Sequence, residues 1–253
     1  MIGFIMTCLK SVFILLFLIT NIIPINSAEV KMSFGEKIPP YTFPETNSGI
    51  ELEVIGAALA YKGHVLKPSY CPLAKVPLVF KNKTVDAAMT DLGEDLTKFG
   101  GHYADPAVWY NNVFITLEEN DLTIDKPEDL EGLIITSFQG AIKRYPKWLK
   151  PVRADYNYFE QNNQKLQVLV LHKKRVDVIL SDINIFKYNT SKLIREEGFV
   201  PKPTRIHQFV KLNLMDYRPI FRDKKIRDDF NEGLNHIKKT GQFQGIYDKY
   251  LKN

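Results

Sequence analysis

The stretch KTVDAAMTD (residues 83–91) returns in altered form as KRVDVILSD (174–182). Each copy has a basic residue, Val-Asp, three apolar residues, then a hydroxyl residue and Asp. Val85-Asp86 answers Val176-Asp177, and Thr90-Asp91 answers Ser181-Asp182. A short apolar run bounded by polar turns reads as a buried strand. Two such runs predict two related α/β lobes, each with a strand that ends in a hydroxyl residue and an Asp. In open α/β sheets, ligands bind beyond the carboxyl ends of the strands. Two such ends facing one another make a cleft. Asp182 sharpens the point, because a carboxylate at the edge of an apolar run is costly unless it is paired or wet.

The rest of the chain supports an alternation of strands and helices. ELEVIGAALAYK (51–62) places Val54, Ile55, Ala58 and Leu59 on one helical face, and Gly63 stops it. VWYNNVFITLEEN (108–120) is rich in β-branched and aromatic residues and reads as extended. KPEDLEGLIITSFQGA (126–141) gives a helical turn, a strand over Leu133–Thr136 and a Gly turn. AIKRYPKWLK starts a helix that Pro146 limits or kinks. NQKLQVLVLHKK (163–174) is a helix ahead of the RVDVILSD strand. KIRDDFNEGLNHIKKTG (225–241) is the clearest helix, with Ile226, Phe230, Leu234 and Ile237 on one face. QFQGIYDKYL adds a last short one. The class expected is α/β with mainly parallel sheet.

The first 28 residues read as a secretory leader. Lys10 precedes an apolar run from Val12 to Ile25, and the small residues Ser27 and Ala28 close it. Cleavage is expected after Ser27 or Ala28. A membrane anchor is the weaker reading, because the run is short of the ~20 apolar residues of a span and carries Pro24. The mature chain keeps one cysteine, Cys71, so no internal disulfide can form. Net charge is +5 and the basic residues are dispersed, which gives no support to nucleic-acid binding.

Catalytic signatures are absent. The sequence holds no GxSxG, HExxH, CxxC or phosphate-cradling Gly loop, and no cofactor motif. His64, His102, His172, His207 and His236 stand far apart, without metal-ligand spacing. A secreted α/β chain of this kind points to binding rather than catalysis.

The order of segments resembles the extracellular solute-binding proteins of family 3, the polar-amino-acid receptors of ABC importers. The resemblance runs from about Phe34 to Leu251. IPPYTF (38–43) is similar to the family's first ligand-covering loop. SGIELEVIGAAL (48–59) is similar to the Gly-initiated helix that follows, with Glu53 at a place usually held by Asp. YADPAVWY (103–110) is similar to the segment before the first interlobe crossing, and VDVILSDINIFKY to the second-lobe strand with the ligand Asp. The resemblance implies a two-lobed fold of the type II periplasmic-binding-protein kind, with crossings near Val113–Leu117 and Phe209–Leu214. Lobe one would span 29–113 plus 210–253, and lobe two 114–209.

Site residues follow from the resemblance one at a time. Asp182 matches the Asp that receives a ligand ammonium through a charge-assisted hydrogen bond; its other reading is a helix N-cap. Tyr41 and Phe43 match the stacking loop, or else pack in the core. Gln139 and Gly140 match the second-lobe turn, whose N–H groups suit an anion. Thr90 and Asp91 match the first-lobe turn, although Asp91 stands where Gly is common. The family's Arg for the ligand carboxylate is missing. Counting back from Tyr103 puts its position on Thr97, and counting forward from Asp86 puts it on Lys98, which holds a carboxylate only as a point charge.

The function expected is therefore a periplasmic receptor for a small polar, amine-bearing solute, working as a monomer with an ABC permease and without a cofactor. The alternatives are an enzyme on the same fold that uses cleft carboxylates as acid and base, and a sensory binder that acts through a separate membrane protein.

Overall fold

The computed structural model describes residues 27–89, 93–154, 156–211 and 217–252. Two five-stranded sheets, each covered on both faces, form two α/β lobes. The first sheet has the order β2-β1-β3-β10-β4. Its strands are β1 (Glu29–Gly35), β2 (Val65–Cys71), β3 (Ala87–Met89), β4 (His102–Tyr103) and β10 (Pro219–Phe221). The second has the order β7-β6-β8-β5-β9. Its strands are β5 (Asn112–Leu117), β6 (Ile135–Phe138), β7 (Tyr158–Gln161), β8 (Val178–Asp182) and β9 (Thr204–His207).

Both sheets are mixed, which corrects the expectation of mainly parallel pairing. β1 runs parallel to β2 and β3, and β6 runs parallel to β7 and β8. The strands that carry the chain between lobes enter antiparallel. β10 pairs antiparallel with β3 and β4, and β5 with β8 and β9. The expected crossing at Val113–Leu117 is an inner strand of the second sheet, buried at every position. The passage between sheets precedes it, at 104–111; on the way back the chain leaves the second sheet after His207 and re-enters the first at Pro219. Part of the second expected crossing, 212–214, lies outside the described residues.

The repeated Val-Asp motif does the same work in both lobes. Asp86 accepts a hydrogen bond from the Lys31 N–H (2.9 Å) and donates its own N–H to the Lys31 carbonyl (2.8 Å). Asp177 accepts from the Ile134 N–H (2.8 Å) and donates to the Ile134 carbonyl (2.9 Å). Each Asp thus clamps the start of the neighbouring parallel strand and fixes register. The clamp also explains why β6 begins at Ile135 and not at Leu133, since the Ile134 N–H is committed to Asp177 and the Leu133 N–H to Leu130 (3.2 Å). Asp86→Ala and Asp177→Ala should each lower stability by about 1 kcal/mol. The double variant should lose the sum, because the two sites sit in different lobes. Urea melts of the single and double variants check this.

The helices are α1 (Ile50–Ala60), α2 (Val76–Lys81), α3 (Ala141–Arg144), α4 (Pro146–Ala154), α5 (Gln164–His172), α6 (Ile183–Glu197), α7 (Lys224–Lys239) and α8 (Gln242–Leu251). Pro146 divides its helix as expected. The chain breaks at Tyr145 and restarts with the proline at the first helical position, where its missing N–H costs nothing. Asp223 caps α7 by accepting from Lys225 and Ile226, and basic residues in the last turn suit the helix dipole. The buried face of α7 holds Phe230, Gly233, Leu234 and Ile237. Gly233 crosses α1 so closely that a Cβ there would stand 1.9 Å from the Ala58 carbonyl oxygen. Through this contact and through Phe243, Ile246 and Tyr247 of α8, the C-terminal helices return to the first lobe's core. Among the described residues, no helix is long and apolar enough to cross a membrane.

Candidate functional site

Asp182 stands at the carboxyl end of β8 and is the N-cap of α6. It is 1 % exposed. One carboxylate oxygen accepts from the Asn184 N–H (2.9 Å) and the Ile185 N–H (3.0 Å). The other accepts from the Asn111 N–H (2.7 Å), in the passage between the sheets. The partners of this carboxylate in the structure are therefore three backbone amides, with the Tyr41 hydroxyl beside them. Burial pushes its pKa up to about 7, against the pull of those three donors. The capping reading is realised, and the same residue also lines the space between the lobes.

A file of aromatic rings runs beside it. Tyr41 and Tyr110 have centroids 4.2 Å apart, and Tyr110 and Tyr217 4.7 Å. The Arg144 guanidinium then covers Tyr217 at 4.4 Å. The file is pinned at its polar ends. Tyr41 donates its hydroxyl to the Trp109 carbonyl (2.9 Å) and accepts from the Asn184 amide (3.1 Å). Tyr110 donates to the Glu51 carboxylate. Asn112 donates to the hydroxyls of Tyr217 (2.7 Å) and Tyr145 (2.9 Å). Glu51, in the first turn of α1, is fully buried and also accepts from Thr42 (3.2 Å). Burial raises its pKa from 4.5 to about 7, because two hydroxyl donors do not replace the water it has lost.

The lobes meet around this file. Ile185 of α6 packs into the first lobe's core, and Leu73 touches the cores of both lobes. Between them lies a narrow cavity lined by Ile38, Tyr110, Asn112, Gln164, Asp182 and Tyr217, among others. Its volume is about 20 Å³, room for one or two water molecules. No amino-acid-sized solute fits this cavity as it stands.

The other expected site residues are scattered relative to this cavity. Tyr41 is fully buried and belongs to the first lobe's core. Phe43 stands farther out, stacked on Tyr250 (5.9 Å) and edge-on to Tyr188 (5.6 Å). Gly140 has a left-handed backbone (φ 87°), and its N–H donates to Glu160 (2.8 Å). Glu160 also takes the Ile142 N–H (3.1 Å) and the Tyr158 hydroxyl (2.8 Å). An internal carboxylate thus holds the amides that the sequence offered to a ligand anion. Gln139 is half-buried at the same turn. Lys98 and Thr97 lie in the exposed turn Leu96–Phe99, and neither lines the interlobe cavity. Thr90 and Asp91 fall outside the described residues.

Sequence reasoning missed Glu51, Tyr110, Asn112, Arg144, Glu160 and Tyr217. Glu51 had a faint signal, an acidic residue between apolar neighbours on a face otherwise buried. Arg144 had none, since its place opposite the first lobe depends on how the lobes meet. A Cβ at Gly93 would touch the Arg144 side chain (3.6 Å), which shows this second-lobe residue reaching the first lobe's turn.

No protein-family model matches the sequence, and no curated protein matches it. Solved structures do match. An ancestral arginine-binding protein bound to glutamine aligns with TM-score 0.66 and 19% identity over 89% of this chain and 98% of its own. A histidine-bound substrate-binding protein of an ABC uptake transporter from Streptococcus pneumoniae aligns with TM-score 0.67 and 16% identity over 89% of this chain and 93% of its own. A histidine kinase sensor domain similar to periplasmic binding proteins aligns with TM-score 0.64 and 18% identity over 88% of this chain and 96% of its own. The fold is the type II periplasmic-binding-protein fold, two α/β lobes joined by two passages of chain.

Proposed function

We propose that this protein is an extracytoplasmic receptor that captures a small polar, amine-bearing solute between its lobes and delivers it, as a monomer, to an ABC-type importer. The first lobe would hold 29–103 and the chain from Pro219 on, and the second lobe 112–207, after loss of a leader ending at Ser27 or Ala28. The observation that carries the reading is the junction itself. The strand end at Asp182, an aromatic file and the cavity between them all lie where the two sheets meet. Hinge opening of such lobes would expose this wall, and closure would bury the solute against it. Structures of the same fold named for arginine and histidine binding support the solute class.

Within this reading Arg144 takes the part of the missing first-lobe Arg. It approaches the Gly93 turn from the opposite lobe and presents a guanidinium beside Tyr217. A guanidinium suits a carboxylate because it offers paired donors in one plane. Asp182 would hold the amine when the lobes part and re-form around it. Thr90, Asp91 and Lys98 on the first lobe, and Phe43, Gln139 and Gly140, complete the proposed contacts.

A thermal-shift screen against amino acids, polyamines, quaternary amines and small organic acids tests the reading. A ligand at 100-fold over its Kd should stabilise the protein by about 2.7 kcal/mol. Silence across the panel would count against a small-solute receptor. The enzyme reading keeps one supporting observation, the buried carboxylates Glu51 and Asp182 raised to about 7, a range suited to general acids. Turnover of a panel hit by the purified protein would favour it; unchanged recovery of the hit would favour the receptor.

A further inference from the structure

We propose that a second interlobe groove, between α6 and α8, binds a small organic anion with two or more acidic groups. Asn184 is among the residues that line the groove, whose volume is about 360 Å³. Lys187, Ser191 and Arg195 form its second-lobe wall. Their four-residue spacing on α6 puts them in one row on one face of the helix. Lys249 and Tyr250 of α8 form the first-lobe wall, and Tyr188 closes one end.

Among the described residues that line the groove, three are cations and none is a carboxylate. The acidic residues of α6 itself are engaged elsewhere: Glu196 pairs with Lys192, and Glu197 with Lys165. Among the described residues, no carboxylate lies within ion-pair distance of Lys187 or Arg195. Across the groove Lys249 pairs with Glu53 (2.6 Å), and the Tyr250 hydroxyl donates to the same carboxylate. The interlobe cavity, by contrast, is lined by a carboxylate and no cation. Lys187 and Arg195 stand two turns apart on α6 with Ser191 between them, so their long side chains can converge on one ligand over Ser191, and a guanidinium and an ammonium both favour carboxylate or phosphate oxygens. A mono-anion would meet only one of the two cations.

Isothermal titration of the purified protein with citrate, and separately with pyrophosphate, at fixed ionic strength tests this. The expected result is saturable one-site binding of at least one probe, weakened as NaCl is raised. Lys187→Ala combined with Arg195→Ala should weaken it by about tenfold or more. Both side chains are exposed, so the melting temperature of the double variant without probe should match that of the parent. Absence of saturable heat with both probes at millimolar concentration would overturn the proposal. Undiminished binding in the double variant would overturn it as well, by placing the anion elsewhere.

Discussion

Replacing Glu51 with Gln should stabilise the protein at pH 8 by about 3 kcal/mol and leave it unchanged at pH 4. The Glu51 carboxyl is fully buried, and its pKa rises from 4.5 to about 7 on folding. Below pH 4.5 it is protonated in the folded and unfolded chain alike, and it carries no ionisation penalty. Between pH 4.5 and 7 the unfolded chain releases the proton while the folded chain keeps it, so stability falls with rising pH. Above 7 the folded chain is ionised too, and the loss is complete. At about 1.4 kcal/mol per pH unit, the interval amounts to the 3 kcal/mol stated. Gln keeps one oxygen to accept from one of Thr42 and Tyr110 and an N–H that can donate to the other hydroxyl, and it has no proton to lose. Melting temperatures of parent and variant from pH 4 to 8 check the prediction. The parent should be more stable in mild acid than at pH 8, and Glu51→Gln should flatten that slope. Asp182 contributes in the same direction, since burial raises it from 3.8 to about 7. Some slope therefore remains in the variant.

Asp182→Ala should cost about 3 kcal/mol at pH 4, where its ionisation penalty is absent, even without ligand. Loss of an N-cap side chain costs about 1 kcal/mol. The Asn111 N–H, which pairs with the second oxygen at 2.7 Å, would be left without that partner, and an unsatisfied buried donor costs about 1–3 kcal/mol more. Asp182→Asn should recover part of this. Its remaining oxygen can still cap Asn184 and Ile185, while its amide group faces the Asn111 N–H donor to donor. Chemical denaturation of the three proteins at pH 4, where Asp182 is protonated in the folded chain and carries no ionisation penalty, gives the order parent, Asn, Ala. Equal stability of Asp182→Ala and parent would mean the carboxylate holds no structural hydrogen bonds of consequence. A ligand test with Asp182 variants has meaning only at temperatures well below their lowered melting points.

Much of the architecture was legible because local pattern and tertiary demand agree. The Val-Asp repeat predicted two lobes, and the structure shows the reason in the paired clamps of Asp86 on Lys31 and Asp177 on Ile134. The helix over 224–239 was readable because its apolar face is the face it buries. The mixed sheet pairing was not readable. Strand direction for β5 and β10 depends on the chain crossing between lobes, which leaves no trace in a six- or three-residue strand. The site was less legible than the fold. Asp182 was found because a charge inside an apolar run is conspicuous, but its partners are backbone amides that no sequence displays. Gly140 read as an open anion turn, and only the parallel pairing of β6 with β7 brings Glu160 onto it. Arg144 and Tyr217 come from opposite ends of the fold and meet through lobe contact alone.

The account rests on lobes that part to admit a solute and close over it. Cysteines replacing the exposed Lys67 of the first lobe and Lys173 of the second, with Cys71→Ser, would carry a donor and acceptor dye. Energy transfer between them would then be followed while the panel solute that most raises the melting temperature is titrated. The account predicts an interlobe distance that shifts with the saturation curve of binding, because the cavity of about 20 Å³ beside Asp182 admits no such solute. Saturable binding with no change in that distance would contradict it.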